Sequence, residues 1–138
     1  MNRDLYVAHA LVSVDSSYLF LRRRDGHYLG RQWDIPAGTV EDGESPEDAV
    51  TRECFEETGL GARCGELIAH YINPDTEGRD LTFHTMTYKL ILNDEYSNKQ
   101  VRLSEEEHDD SKWLCLESAY ELPLVWHVRQ TLDFVRPK

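Results

Sequence analysis

GTVEDGESPEDAVTRECFEETGL, residues 38–60, contains a complete specification for one helix. Ser45 suits the N-cap, Pro46 suits the first helical position, and Asp48, an acid three places beyond the cap, resembles a capping box. Gly59 is the residue type that ends a helix in the left-handed conformation. The intervening helix carries Arg52, Glu53, Glu56 and Glu57. Residues three and four apart on a helix are neighbours, with Cβ atoms about 5–6 Å apart. Glu53 therefore lies beside both Glu56 and Glu57, and three carboxylates share one face. Like charges so placed destabilise the helix unless positive charge sits among them. A hard divalent cation, which takes oxygen ligands from carboxylates and from substrate phosphates, suits that position. The apolar residues Ala49, Val50, Cys54 and Phe55 make no clean stripe, whereas a helix that only filled a core would show one.

Before this helix, Leu5–Val14 is rich in aliphatic residues and reads as a strand. Asp15-Ser16-Ser17 is a turn, and Tyr18–Arg23 reads as the second strand of a hairpin. Residues 25–32 form a loop, and Trp33-Asp34-Ile35 is a short apolar-edged piece broken by Pro36 and Gly38. After the helix, strands are expected at Leu67–Ile72 and Leu81–Leu92, the latter the best central strand. Asn93–Gln100 reads as a loop, and Val101-Arg102-Leu103 as a short extended piece. Lys112–Leu116 reads as a strand around Trp113. Apolar residues at 124, 125, 128, 132 and 135 give helical spacing. Strands, one helix, more strands and a last helix imply a mixed α/β layered domain, taken as a single unit over residues 1–138.

Composition narrows the function. The chain has 138 residues, 40% hydrophobic, with 26 acidic against 15 basic residues and a net charge of −11. Sequence-independent nucleic-acid binding rests on Lys and Arg neutralising phosphates, so this balance argues against it. A small phosphorylated ligand stays compatible, because a metal can bring the positive charge. The three cysteines, Cys54, Cys64 and Cys115, match neither a disulfide framework nor a zinc site; Cys54 and Cys115 sit among apolar neighbours and are expected in the core. No stretch reads as a signal peptide or membrane span, so a cytoplasmic location without membrane association is expected. His9, His70, His84 and His127 lack ligand spacing and read as structural or surface residues.

The pattern Gly38, five residues, Glu44, seven residues, Arg52-Glu53-Cys54, one residue, Glu56-Glu57, one residue, Gly59-Leu60 resembles the Nudix box, with Cys54 in the aliphatic position. Seven fixed residues at fixed spacing are too specific a pattern to arise by chance in a chain of this length and ordinary composition, which sets coincidence aside. The resemblance extends in pattern over nearly the whole chain. It implies an α/β/α sandwich with a mixed sheet. It also implies hydrolysis of the pyrophosphate bond of a nucleoside diphosphate linked to another group, with Mg²⁺ or Mn²⁺. Glu56 and Glu57 resemble the main metal ligands, and Glu53 is placed to bind metal or to take a proton from water. The Gly38 carbonyl is a further ligand by the same resemblance. Arg52, four residues before Glu56, is placed to hold the box carboxylates. Glu44 steadies the loop and Gly59 closes the helix.

Related enzymes recruit a glutamate from a loop before the late tryptophan strand, and Glu107, in the run Glu105-Glu106-Glu107, is best spaced from Trp113. In MutT-type relatives an arginine fifteen residues before the box glycine contacts phosphate; that position is Arg23. Tyr28 and Trp33, with His27, are candidates to line a base pocket, since aromatic faces stack on bases. The short, closely spaced chain looks MutT-like, which favours a nucleoside triphosphate cleaved to a monophosphate and pyrophosphate. ADP-ribose or nucleotide-sugar pyrophosphatase activity is the alternative, and a non-catalytic nucleotide-binding Nudix module is the alternative of another class. Such modules usually lose Glu56 or Glu57, and both are present here. The expected partner is a small-molecule nucleotide, and a homodimer stays open.

Overall fold

The computed structural model describes residues 3–96 and 98–136; residues 1, 2, 97, 137 and 138, which the expected span 1–138 and, at 97, the expected loop 93–100 include, lie outside the described residues. β1 (Arg3–Val14) and β2 (Ser17–Arg23) form the expected hairpin. They pair only at their turn end, Ser13 with Tyr18 and Val14 with Ser17. Beyond that they part, and residues 33–39 fill the wedge. β3 (Trp33–Asp34) pairs with β2, and β4 (Ala37–Thr39) pairs with β1. Pro36 lies between them. It has no N–H to give to a ladder, but its carbonyl accepts the Ala10 N–H at 2.7 Å. The sequence reading did not mark β4, because Ala37-Gly38-Thr39 has little strand character of its own.

β5 (Ala62–Pro74) and β6 (Leu81–Leu92) form an antiparallel pair. β6 runs parallel to β1 from Arg3↔Leu81 to Ser13↔Ile91, which makes the sheet mixed. β7 (His108–Leu114) pairs antiparallel with the far edge of β2. α1 (Pro46–Thr58) covers one face of the sheet. α2 (Leu116–Ala119) and α3 (Trp126–Val135) cover the other.

The alternation of side chains along a strand sorts the core into these two layers. Ala8, Ala10 and Val12 of β1, with Leu19 and Leu21 of β2, pack against Ala49, Val50 and Cys54 of α1. The intervening Leu11 and Phe20 face the other way, toward Trp33, Ile35, Val128 and Leu132. Fully burying a Leu or Phe contributes about 2 kcal/mol, so both layers hold their helices firmly. The fold is the α/β/α arrangement expected from the sequence.

Several boundaries differ from expectation for local reasons. β5 is longer than Leu67–Ile72 because its polar ends still pair with β6. The late strand begins at His108 rather than Lys112, and Leu116 opens a helical turn. Residues 101–103 form no strand; the Arg102 N–H donates to Thr58 O at 2.8 Å and the Ser104 N–H to Glu57 O at 3.1 Å. These bonds satisfy carbonyls that the end of α1 would leave bare. Leu124 and Val125 precede α3, since the Pro123 carbonyl and the Val125 N–H both bond to Trp33 in the wedge. Cys54 is fully buried as expected, but Cys115 is exposed: it stands at the N-cap of α2, outside both layers.

Candidate active site

Ser45 caps α1 by accepting the Asp48 N–H at 3.1 Å, and Gly59, with φ of 74°, closes it by donating to Phe55 O at 2.8 Å. The helix is thereby fixed in register against β4. A Cβ on Gly38 would lie 2.0 Å from Glu53 Cδ and 2.2 Å from its Oε1. The missing side chain of Gly38 is thus the seat of the Glu53 carboxylate. Glu57 continues the same face and is buried, 7% exposed. Its Oε2 accepts the Ala37 N–H at 3.1 Å. Glu56 points outward, with over half of its side chain exposed.

Arg52 gathers this face. It grips Glu44 with two bonds, Nε to Oε2 at 2.8 Å and Nη2 to Oε1 at 3.0 Å. Its Nη1 donates to Glu53 Oε1 at 2.8 Å and to Glu56 Oε2 at 3.2 Å. Glu44 also accepts the Glu41 N–H, which closes the loop before the helix. The bond from Arg52 holds the Glu44 carboxyl below its ordinary range, and the bond from Glu44 raises the Arg52 guanidinium. Burial raises the Glu53 carboxyl, against the pull of Arg52. Burial also pushes Glu57 up to about 9, the Ala37 N–H opposing and the charges of Glu53, Glu107 and Asp34 adding to the rise. Two carboxyl groups held where their charge is disfavoured, beside the narrow cradle at Gly38, form an oxygen donor set suited to a hard divalent cation.

The acidic loop joins from the side. Among the described residues, one ligand atom each from Glu57, Glu107 and His108 lie within 4.8 Å of one another. Glu105 and Glu106 are exposed and outside that group. His108 is 2% exposed, with its Nδ1 3.7 Å from Glu57 Oε1. Sequence reasoning passed over it as part of a charge run. Its only signal was a lone histidine inside that run, with Asp109 and Asp110 following it.

The substrate-side candidates are spread out. Arg23, at the end of β2, donates from Nη1 to Asp34 Oδ2 at 3.1 Å and from Nε to Tyr28 O at 2.7 Å. Arg22 turns the other way and pairs with Asp109 at 2.7 Å. Tyr28 is 78% exposed, whereas Trp33 is 4% exposed within the α3-side core. Arg22 and Lys112 stand over the Trp33 ring, which leaves little of the indole for a ligand. Behind Arg23, His9, Asp34 and His127 bring ligand atoms within 4.8 Å of one another, all three buried. The His9 and His127 rings meet edge to face, 4.3 Å apart, and His127 Nε2 lies 3.8 Å from Asp34 Oδ1. Burial lowers His127 and takes His9 to about 3, the neighbouring His127 adding to the fall in His9. This grouping was invisible in the sequence, because β1, β3 and α3 contribute one residue each. His70 and His84 lie elsewhere, bonded to each other at 2.9 Å, with His84 also on Asp4.

A mixed sheet between two helical layers, with a capped glutamate helix docked on a glycine strand, defines the class: an α/β/α sandwich built around the 38–60 sequence. Residues 3–134 match the family model of the NUDIX domain, and the chain belongs to the Nudix hydrolase family, whose members act on nucleoside diphosphate derivatives and generally use divalent metal ions. The mouse bis(5'-nucleosyl)-tetraphosphatase [asymmetrical] is 30% identical over 94% of this chain and 86% of its own length. The ADP-ribose pyrophosphatase of Methanocaldococcus jannaschii is 35% identical over 59% of this chain and 46% of its own. A MutT-like protein of Streptomyces ambofaciens is 39% identical over 49% and 41%. The chain thus spans less than half of the last two relatives. The crystal structure of a MutT protein from Methanosarcina mazei superposes with a TM-score of 0.78 at 24% identity, covering 98% of this chain and 95% of that one. That likeness establishes the fold. Among the described residues no helix is long and apolar enough to cross a membrane.

Proposed function

We propose that the protein hydrolyses a nucleoside triphosphate to a nucleoside monophosphate and pyrophosphate, with Mg²⁺ or Mn²⁺ held by Glu53, Glu56, Glu57, Glu107 and the Gly38 carbonyl. The observation that carries this reading is the seating of Glu53 against Gly38 beside the buried Glu57. When bound, the cation would offset the phosphate charge and lower the pKa of water. Glu53 is placed either to hold the cation or to take the proton of the attacking water, whose oxygen would bond to phosphorus as the phosphoanhydride bond breaks and pyrophosphate leaves. Arg52 keeps Glu44, Glu53 and Glu56 in fixed relation while this happens. Arg23, held at Asp34 and Tyr28 O, presents the rest of its guanidinium to phosphate, and exposed Tyr28 offers a face to the base. Free Cys54, Cys64 and Cys115 agree with a reducing cytoplasm.

A second reading, cleavage of a dinucleoside polyphosphate, is favoured by the nearly full-length match to the mouse relative. A panel of nucleoside triphosphates, diadenosine polyphosphates, ADP-ribose and nucleotide sugars, assayed with Mg²⁺ and with Mn²⁺, separates the two. The expected result is monophosphate and pyrophosphate from at least one triphosphate, and none in chelator. Faster turnover of a dinucleoside polyphosphate establishes the second reading. No turnover of any compound overturns both and leaves a nucleotide-binding module.

A further inference from the structure

We propose that His108 gives a nitrogen ligand to the cation held by Glu57 and Glu107, so that the site prefers Mn²⁺ or Co²⁺ to Mg²⁺. This rests on the reading of the carboxylate cluster as the metal site. His108 opens β7 and pairs with Arg23 across a bulge in the β2 ladder, which brings the ring under α1. It is 2% exposed, and neither ring nitrogen has a hydrogen-bond partner among the described residues. Buried polar side chains are nearly always partnered, because an unmet donor or acceptor keeps its full desolvation penalty. His108 Nδ1 lies 3.7 Å from Glu57 Oε1. That is too long for a hydrogen bond. Ligands that each stand ~2.1 Å from one ion are about 3.0–3.4 Å apart, so an ion between these two atoms would draw them together by a few tenths of an ångström.

Three elements converge on the point: α1 with Glu57, the acidic loop with Glu107, and β7 with His108. Two carboxylates and a neutral imidazole match a divalent charge. Imidazole is a softer donor than oxygen, and affinity for nitrogen-containing sites rises from Mn²⁺ to Co²⁺, while Mg²⁺ keeps to oxygen.

The test uses the full chain freed of metal and loaded with Mn²⁺. Electron spin-echo modulation should show a directly coordinated ¹⁴N, converted to the ¹⁵N pattern in protein grown with [¹⁵N]histidine. His108→Leu should abolish that modulation. By calorimetry it should weaken Mn²⁺ and Co²⁺ at least tenfold and Mg²⁺ less than threefold. If His108→Leu does not fold, His108→Gln, which keeps a polar group there but no imidazole, decides the matter, because the label alone does not tell His108 from His9 and His127. Bound Mn²⁺ without nitrogen modulation in the parent overturns the proposal and leaves the carboxylate site standing. A nitrogen signal that survives in folded His108→Leu, or equal losses for Mg²⁺ and Mn²⁺, also overturns it. Failure of the parent to bind Mn²⁺ overturns the carboxylate site together with it.

Discussion

Gly38→Ala separates the site from the fold. Gly38 is not in the left-handed region, so alanine suits its backbone. The added Cβ would stand 2.0 Å from Glu53 Cδ. Ordinary contact between carbons is about 3.5 Å, so the Glu53 carboxylate must withdraw by roughly 1.5 Å. A misplacement of about 1 Å at a reacting group costs on the order of 100-fold in rate. Stability should move little: the lost Arg52–Glu53 bond is part-buried but leaves Arg52 its bonds to Glu44 and Glu56, a net cost of about 1 kcal/mol, and the stiffer unfolded chain returns about 0.4–1 kcal/mol. The comparison is Gly78→Ala, where φ is 83° and the surrounding space is open. There a Cβ meets only backbone strain, worth about 1–2 kcal/mol. The expected outcome is a double dissociation. Gly38→Ala keeps an unfolding free energy, from urea titration, within about 1 kcal/mol of the parent and loses turnover 100-fold or more. Gly78→Ala unfolds earlier and turns over normally. Full turnover by Gly38→Ala would show that the seating of Glu53 has no part in the chemistry.

Glu57→Gln should reduce turnover by at least about 1,000-fold, as expected for removing a ligand charge from a metal-assisted reaction; product release measured under saturating substrate checks it. Chelation should abolish activity, and re-addition of Mn²⁺ at 100 times its Kd should raise unfolding stability by about 2.7 kcal/mol, read from denaturant titrations. Arg52→Lys keeps the charge but loses the two-pronged grip on Glu44. It should lower kcat more than it raises KM in steady-state kinetics. His9 has a folded pKa of about 3 against an ordinary 6.5, so between those values the unfolded chain binds more protons than the fold. Its contribution is complete above pH 6.5 and falls by about 1.4 kcal/mol per unit as pH drops toward 3. Metal-free His9→Gln should show a flatter loss of stability than the parent between pH 6 and pH 4; parallel curves would contradict this.

What the sequence disclosed was what is local. The caps of α1 lie within a few residues of the groups they satisfy, and the adjacency of Glu53, Glu56 and Glu57 follows from helical spacing alone. The alternation that sorts the core into two layers is local as well, but the sandwich itself was expected only from the family resemblance. β4 was not, since Ala37-Gly38-Thr39 becomes a strand only where β1 and β2 part. His108 was hidden because an acidic run precedes it, and its burial depends on pairing with Arg23, 85 positions earlier. Asp34, His9 and His127 meet only through tertiary structure. Trp33 and Tyr28 looked alike as aromatic candidates, yet one is buried and the other exposed. Pairing to β2 took Trp33 into the sheet, while Tyr28 stayed in the loop.

The acidic loop is tied down by main-chain atoms. Arg102 and Ser104 donate their N–H groups to the end of α1, the Arg24 N–H meets the Glu107 carbonyl at 2.9 Å, and the Arg24 side chain meets the Glu105 carbonyl. Backbone fastening of this kind does not depend on which residues the loop carries. Positions 105 and 106 are therefore free to drift in sequence without moving Glu107, and the strapped frame tolerates an exchange of side chains that a loop held by its own side chains would not.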